Sequence, residues 1–115
     1  LIFSQRNPNN KYGHANIEKN KNYSVQGAIW KLSKEHEKTL DEYEAVNYNP
    51  PYYYKEYLLW RKKKVLVYIQ KIYTKKNPSS SYLHTIIKGY KDCNLNINLL
   101  KKTVKNYSVN YTINW

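Results

Sequence analysis

Leu40-Asp41-Glu42-Tyr43-Glu44-Ala45-Val46 is the stretch on which the reading of this chain turns. Directly upstream, Gly27-Ala28-Ile29-Trp30-Lys31-Leu32 has the composition of a buried strand, and Ser33 then offers a helix N-cap. Glu35 and Glu37 fall in the first turns, where the helix dipole favours negative charge. The quoted stretch therefore closes a short helix running from Ser33 to about Tyr43. At about 100° per residue, Glu44 lies roughly 40° from Leu40 and about 160° from Glu42. Glu44 is thus expected to turn toward the apolar side, and Glu42 toward water.

A carboxylate on the apolar side of a helix costs free energy unless it is hydrogen-bonded or neutralised. Burial raises its pKa toward the range in which protons are moved near neutral pH. Glu44 is on this ground a candidate general acid/base; the competing reading is a rim residue on a solvated helix end.

Beyond the helix, Pro50-Pro51 forbids both helix and central-strand pairing. Residues 52–60, rich in tyrosine and leucine, predict a strand. A basic turn over residues 61–64 then leads into a second strand over 65–73, which makes a hairpin. Apolar residues on both faces of 65–69 predict a strand covered on both sides. The basic run is accordingly read as a solvated hairpin tip.

Further on, Asn77-Pro78-Ser79-Ser80-Ser81 is loop leading into an N-cap, and Leu83, Ile86, Ile87 and Tyr90 recur with helical spacing. A second helix from about Asn98 places Leu100, Val104 and Tyr107 on one stripe. The tail over residues 108–115 shows no pattern. On the N-terminal side, residues 1–5 predict a strand, Asn7-Pro8-Asn9-Asn10 a turn, and residues 13–17 a second short strand. Residues 24–32 predict a stronger third, with Gly27 and Ala28 admitting the close approach of a neighbour.

The length of 115 residues bounds a single domain, and a mixture of strands with one inserted and two closing helices indicates an α+β fold, a mainly antiparallel sheet with helices packed on it. No apolar run is long enough to span a membrane. The chain opens Leu1-Ile2-Phe3 without Met or a charged leader, so it is expected to be a piece of a longer protein.

One cysteine, Cys93, permits no internal disulfide and points to a reducing, cytoplasmic compartment. His14, His36 and His84 are scattered relative to it, and no Cys/His cluster has metal-ligand spacing, so no metal is expected. The net charge of +12 is compatible with a nucleic-acid partner. It is equally the result of surface positions drifting together to lysine, and the near absence of arginine argues against a dedicated phosphate reader.

The run Gly27-Ala28-Ile29-Trp30-Lys31-Leu32, then Leu40 to Val46, then Pro78-Ser79-Ser80-Ser81-Tyr82 with Ile86-Ile87-Lys88-Gly89, resembles the gamma-glutamylcyclotransferase family over roughly residues 1 to 105. In that family a strand feeds a helix ending Leu-Asp-x-x-Glu-Gly-Val, whose last Glu is the proton acceptor. The matching residue is Glu44. A Pro-Ser-x-x-Tyr segment supplies a substrate-contacting tyrosine, matched by Tyr82, and a tyrosine just after the helix is matched by Tyr52 or Tyr53. Ala45 stands where the family has Gly, Tyr90 where it has Ala, and the family's Tyr-Gly-Ser-Asn loop does not occur in these residues.

The resemblance implies a small β-barrel, incomplete at its N-terminus, spanning residues 1–115 with a tail from 108. It implies cyclisation of a gamma-glutamyl amino acid or amine to 5-oxoproline, with release of the amine and no cofactor, and it leaves a homodimer open. Two other classes stand beside it. One is a scaffold domain that keeps the fold without the reaction, favoured by Ala45, Tyr90 and the missing Tyr-Gly-Ser-Asn loop; the other is a basic nucleic-acid binder.

Overall fold

Phe3 is fully buried at the middle of a short strand, and the largest part of the fold is assembled around it. The computed structural model describes all 115 residues. The elements are β1 (Ile2–Gln5), β2 (His14–Asn16), α1 (Lys34–Tyr43), β3 (Tyr54–Trp60), β4 (Lys63–Ile69), β5 (Thr74–Lys75), α2 (Ser80–Asp92) and α3 (Ile97–Val104). They form two units, one of Leu1–Ala28 with Tyr73–Trp115 and one of Ile29–Ile72. The class is α+β, with antiparallel sheets and three helices. No helix is long and apolar enough to cross a membrane.

In the first unit the sheet order is β2-β1-β5, all antiparallel and open. The Phe3 ring meets Leu83, Ile87 and Tyr90 of α2 and Leu100 and Val104 of α3 in one core. These are the stripes that helical spacing predicts, and Tyr107, just beyond α3, completes the packing edge-on to Phe3 at 5.5 Å. The Tyr107 phenol also accepts from the Phe3 N–H at 2.7 Å and donates to the Phe3 carbonyl at 3.0 Å. One side chain thereby serves both peptide groups of the residue at the centre of the sheet. The tail lacks regular structure but is tied down, since Tyr111 donates to the Pro78 carbonyl at 2.8 Å and the Asn114 N–H donates to His84 Nε2 at 3.0 Å.

Close backbone approach is found at Gly13 rather than at Gly27. A Cβ on Gly13 would lie 2.3 Å from the Lys76 carbonyl oxygen, whereas nothing stands within 4 Å of the same position on Gly27. The strand expected over residues 24–32 is absent. A strand needs a partner ladder for its backbone, and this segment has none, so Ile29, Trp30 and Leu32 are exposed despite their β-favouring composition. Its one recorded anchor is Gln26, whose side-chain carbonyl accepts from the Asn96 N–H at the start of α3, at 2.7 Å.

The second unit contains α1 and the β3–β4 hairpin. Pairing runs from Tyr54 opposite Ile69 to Trp60 opposite Lys63, which leaves a two-residue turn, Arg61-Lys62, in place of the four-residue turn expected. Both turn residues take positive φ, 47° and 64°, as the twist of a two-residue hairpin demands. The second strand accordingly starts at Lys63 and stops at Ile69, because beyond Ile69 no residue of β3 remains to pair with it. The hairpin is not covered on both sides: Val65–Ile69 are half-buried at every position, and Tyr57, Leu58, Leu59 and Trp60 are exposed. The lysines of the basic run are exposed at the tip, where Arg61 lies over the Trp60 ring at 4.5 Å.

Removing only the hydroxyl of Tyr107 leaves its ring in the core but strands the Phe3 N–H. Tyr107→Phe is expected to lower unfolding free energy by about 1–3 kcal/mol, the usual cost of an unpaired buried donor, as read from urea denaturation.

Candidate active site

α1 starts as its sequence dictates. Ser33 caps it, its hydroxyl accepting from the His36 N–H at 3.1 Å, with Glu35 and Glu37 in the first turn. Its other end is more informative. The Glu44 N–H donates to the Leu40 carbonyl at 2.8 Å, the Ala45 N–H to Glu42 at 3.1 Å and the Val46 N–H to Asp41 at 3.2 Å. Ala45 has φ 52°. This bond pattern around a left-handed residue is the Schellman motif. α2 ends the same way, with Asn94 at φ 54° and the Leu95 N–H donating to the Tyr90 carbonyl at 2.8 Å. Asparagine tolerates that conformation; alanine does so at a cost, because its Cβ crowds the following carbonyl. A glycine at this position would carry no such crowding.

Glu44 is the C-cap of α1 and is half-buried, whereas Glu42 is exposed. Loss of hydration holds the Glu44 carboxyl above the ordinary glutamate range. Asp41, one turn earlier, moves the other way: the Tyr68 hydroxyl donates to it at 2.7 Å and the Lys55 ammonium at 3.1 Å, and these bonds hold its carboxyl below the ordinary range. Lys55 also pairs with Glu37. The Tyr68 phenol is pushed well up, first by loss of hydration and then by its bond to Asp41, with Glu44 adding to the effect. The two carboxyls at this helix end are thus shifted in opposite directions, Glu44 up by loss of hydration and Asp41 down by its hydrogen bonds.

Tyr52 and Tyr53 lie in the bend before β3, both half-buried. The Tyr52 N–H donates to the Ala45 carbonyl at 3.1 Å, and its ring meets Tyr48 edge-on at 5.3 Å. Glu44, Tyr52 and Tyr53 therefore belong to one unit, and this backbone bond joins the segment carrying the tyrosines to the turn that carries Glu44. Tyr82 belongs to the other unit, near the start of α2. Its hydroxyl accepts from the Ala15 N–H at 2.9 Å, and its ring stands edge-on to His14 at 5.0 Å and to Phe3 at 6.5 Å.

Cys93 caps the end of α2 and is half-buried. No group of three or more His, Cys, Asp and Glu side chains is placed to hold a metal ion.

Lys55 and Tyr68 went unnoticed in the sequence, because their meeting with Asp41 depends on strand register. A cleft of about 230 Å³ in the first unit, with Glu18, Lys75 and Lys102 in its wall, was likewise not foreseen, and none of the expected site residues lines it. There Glu18 accepts from the Tyr73 hydroxyl, which pushes that phenol up to about 12. Comparison with family models, with curated proteins and with solved structures returned no match for this chain.

Relief of the left-handed alanine gives the first test of this geometry. Ala45→Gly is expected to raise the unfolding free energy by about 1 kcal/mol, measured by denaturant titration.

The second concerns pH. In the unfolded chain Glu44 ionises in the ordinary range, but in the fold its ionised form is disfavoured, so its contribution to stability falls as pH rises through the ordinary range toward the raised one. Asp41 has the opposite sign, its contribution being lost as pH falls through its depressed range. Relative to Glu42→Gln, which removes the same charge from the exposed face, Glu44→Gln is expected to melt at a higher temperature at pH 7. The difference should shrink as pH falls toward the ordinary glutamate range, where the Glu44 carboxyl is protonated in the fold.

Proposed function

We propose that this chain is a gamma-glutamylcyclotransferase in which Glu44 carries the proton. The observation that supports this best is the placement of Glu44: a half-buried carboxyl, raised by loss of hydration, at a helix end whose left-handed turn residue stands where the resembling family has glycine. The small barrel is part of the same proposal, as is a cytoplasmic setting.

In this reaction the substrate's own α-amine attacks its γ-carbonyl. A carbon–nitrogen bond forms to close the five-membered lactam of 5-oxoproline, and the γ-amide bond to the leaving amine breaks. Holding the two groups in contact can supply much of the rate, since effective molarities for well-placed intramolecular reactions reach about 10⁵–10⁸ M. At neutral pH the amine is protonated and cannot attack. Glu44 takes that proton and returns one to the departing nitrogen, a role worth about 10²–10⁴-fold. A carboxyl raised toward neutrality suits both halves of the task.

Tyr52 and Tyr53, beside the Glu44 turn, are the substrate-facing tyrosines of this proposal. For Tyr82, in the other unit, a substrate contact rests on the resemblance alone; its hydroxyl is bonded to the Ala15 N–H. The donors for the developing oxyanion are assigned to a Tyr-Gly-Ser-Asn loop, a sequence that residues 1–115 do not contain, so turnover is to be assayed in a protein that carries it.

Release of 5-oxoproline from a gamma-glutamyl dipeptide, glutathione and a gamma-glutamylamine tests the proposal and identifies the leaving group. In the protein assayed for turnover, Glu44→Gln is expected to lower kcat by about 10²-fold or more with the fold intact. Glu42→Gln is expected to change kcat little. Equal losses from the two substitutions, or none from Glu44→Gln, would remove the proposal.

A further inference from the structure

No residue of α1 is fully buried, so apolar packing alone does not fix where the helix sits. Its side-chain bonds to the hairpin are polar, two of them on Asp41 and one on Glu37. Asp41 accepts from the Tyr68 hydroxyl on one carboxylate oxygen at 2.7 Å and from the Lys55 ammonium on the other at 3.1 Å. Lys55 reaches Glu37 as well. The two donors arrive together for a reason of register: Lys55 and Tyr68 are directly opposite each other on β3 and β4, so both side chains leave the same face of the sheet. Their acceptors are also adjacent, because Glu37 and Asp41 are four residues apart and share one face of the helix.

Asp41 has a second task in its backbone. Its carbonyl accepts from the Val46 N–H in the turn that sets Glu44 at the helix end. The residue whose side chain is clamped to the sheet is thus the residue whose main chain closes the turn. Both carboxylate oxygens meet donors, which an asparagine amide could not reproduce, since one of its two positions would present N–H to a donor. The groups are about three-quarters shielded, with side-chain exposures of 25% for Lys55 and 23% for Asp41, so the pair is only partly screened by water.

We propose that Asp41 is the positioning residue for Glu44: Tyr68 and Lys55 grip its side chain, and through the turn it closes they seat Glu44 against the hairpin. The functional meaning of this device rests on the gamma-glutamylcyclotransferase reading; the seating itself does not. The ionisable groups bonded together between the helix and the two strands are Glu37, Asp41, Lys55 and Tyr68, and Tyr48 and Tyr52 donate their N–H groups to the Ala45 carbonyl of the turn. Glu44 is near enough to Tyr68 to disfavour ionisation of its phenol.

The test reads the titration of the Glu44 carboxyl by carbon-detected NMR in the 115-residue chain. Tyr68→Phe removes one of the two grips without changing any charge. The Glu44 midpoint is expected to fall by about half a pH unit or more toward the ordinary glutamate value, because the released turn becomes hydrated. A residue that only adds stability would leave that midpoint where it is, and an unchanged or raised midpoint overturns the proposal.

Should Tyr68→Phe fail to fold, Lys55→Met decides. Losing a nearby positive charge would by itself raise the Glu44 midpoint, whereas losing the grip lowers it, so a fall supports the proposal and anything else overturns it. The two readings fail separately. Full turnover in Glu44→Gln removes the enzyme reading and leaves the titration result standing; loss of turnover in Glu44→Gln with a wild-type titration in Tyr68→Phe removes only the positioning role.

Discussion

The first unit depends on how Phe3 is satisfied. A central strand of four residues offers little hydrogen bonding of its own, and Phe3 sits where β5 has only just begun to pair. Lys76, just past β5, donates its N–H to the Phe3 carbonyl at 3.2 Å, and the Tyr107 phenol adds a second donor there and meets the Phe3 N–H, while its ring stands edge-on to the Phe3 ring. A hydroxyl can accept and donate at once, which is why tyrosine suits this place. The α2 and α3 stripes pack over the same side chain. The tail follows, with Tyr111, Ile113 and Trp115 packing against the same core.

The second unit is held on different terms. α1 has no buried side chain, and the hairpin leaves much of its apolar surface exposed, so order at the helix end comes from directional contacts. A carboxylate gripped by a phenol and an ammonium is one such contact, and the left-handed Ala45 turn is another. Directional contacts define a position more narrowly than apolar packing does. Each such contact also carries its own cost: partial desolvation for the ion pair, steric crowding for the alanine.

Much of this was legible in one dimension. Ser33 and Ser79 announce their helices because a hydroxyl before a helix can accept an orphan N–H. Leu83, Ile87, Tyr90, Leu100 and Val104 announce the core because helical spacing puts them on one stripe. The inward lean of Glu44 and the outward lean of Glu42 follow from the same arithmetic. Residues 24–32 show where such reading ends. Their composition favours a strand, but a strand is a relation between two segments, and propensity says nothing about whether the second is there.

What the sequence by itself determined is therefore local: the caps, the amphipathic stripes, the Pro50-Pro51 stop, and the side of α1 to which Glu44 belongs. These depend on neighbours a few residues away, and spacing along the chain is enough to read them. The tertiary structure decided everything that rests on register and on backbone handedness. It brought Lys55 and Tyr68 side by side onto Asp41, set the close approach at Gly13 instead of Gly27, and gave Ala45 its left-handed turn. A ladder shifted by one residue would have sent Lys55 and Tyr68 to opposite faces of the sheet, and no pattern within either strand alone distinguishes the two registers.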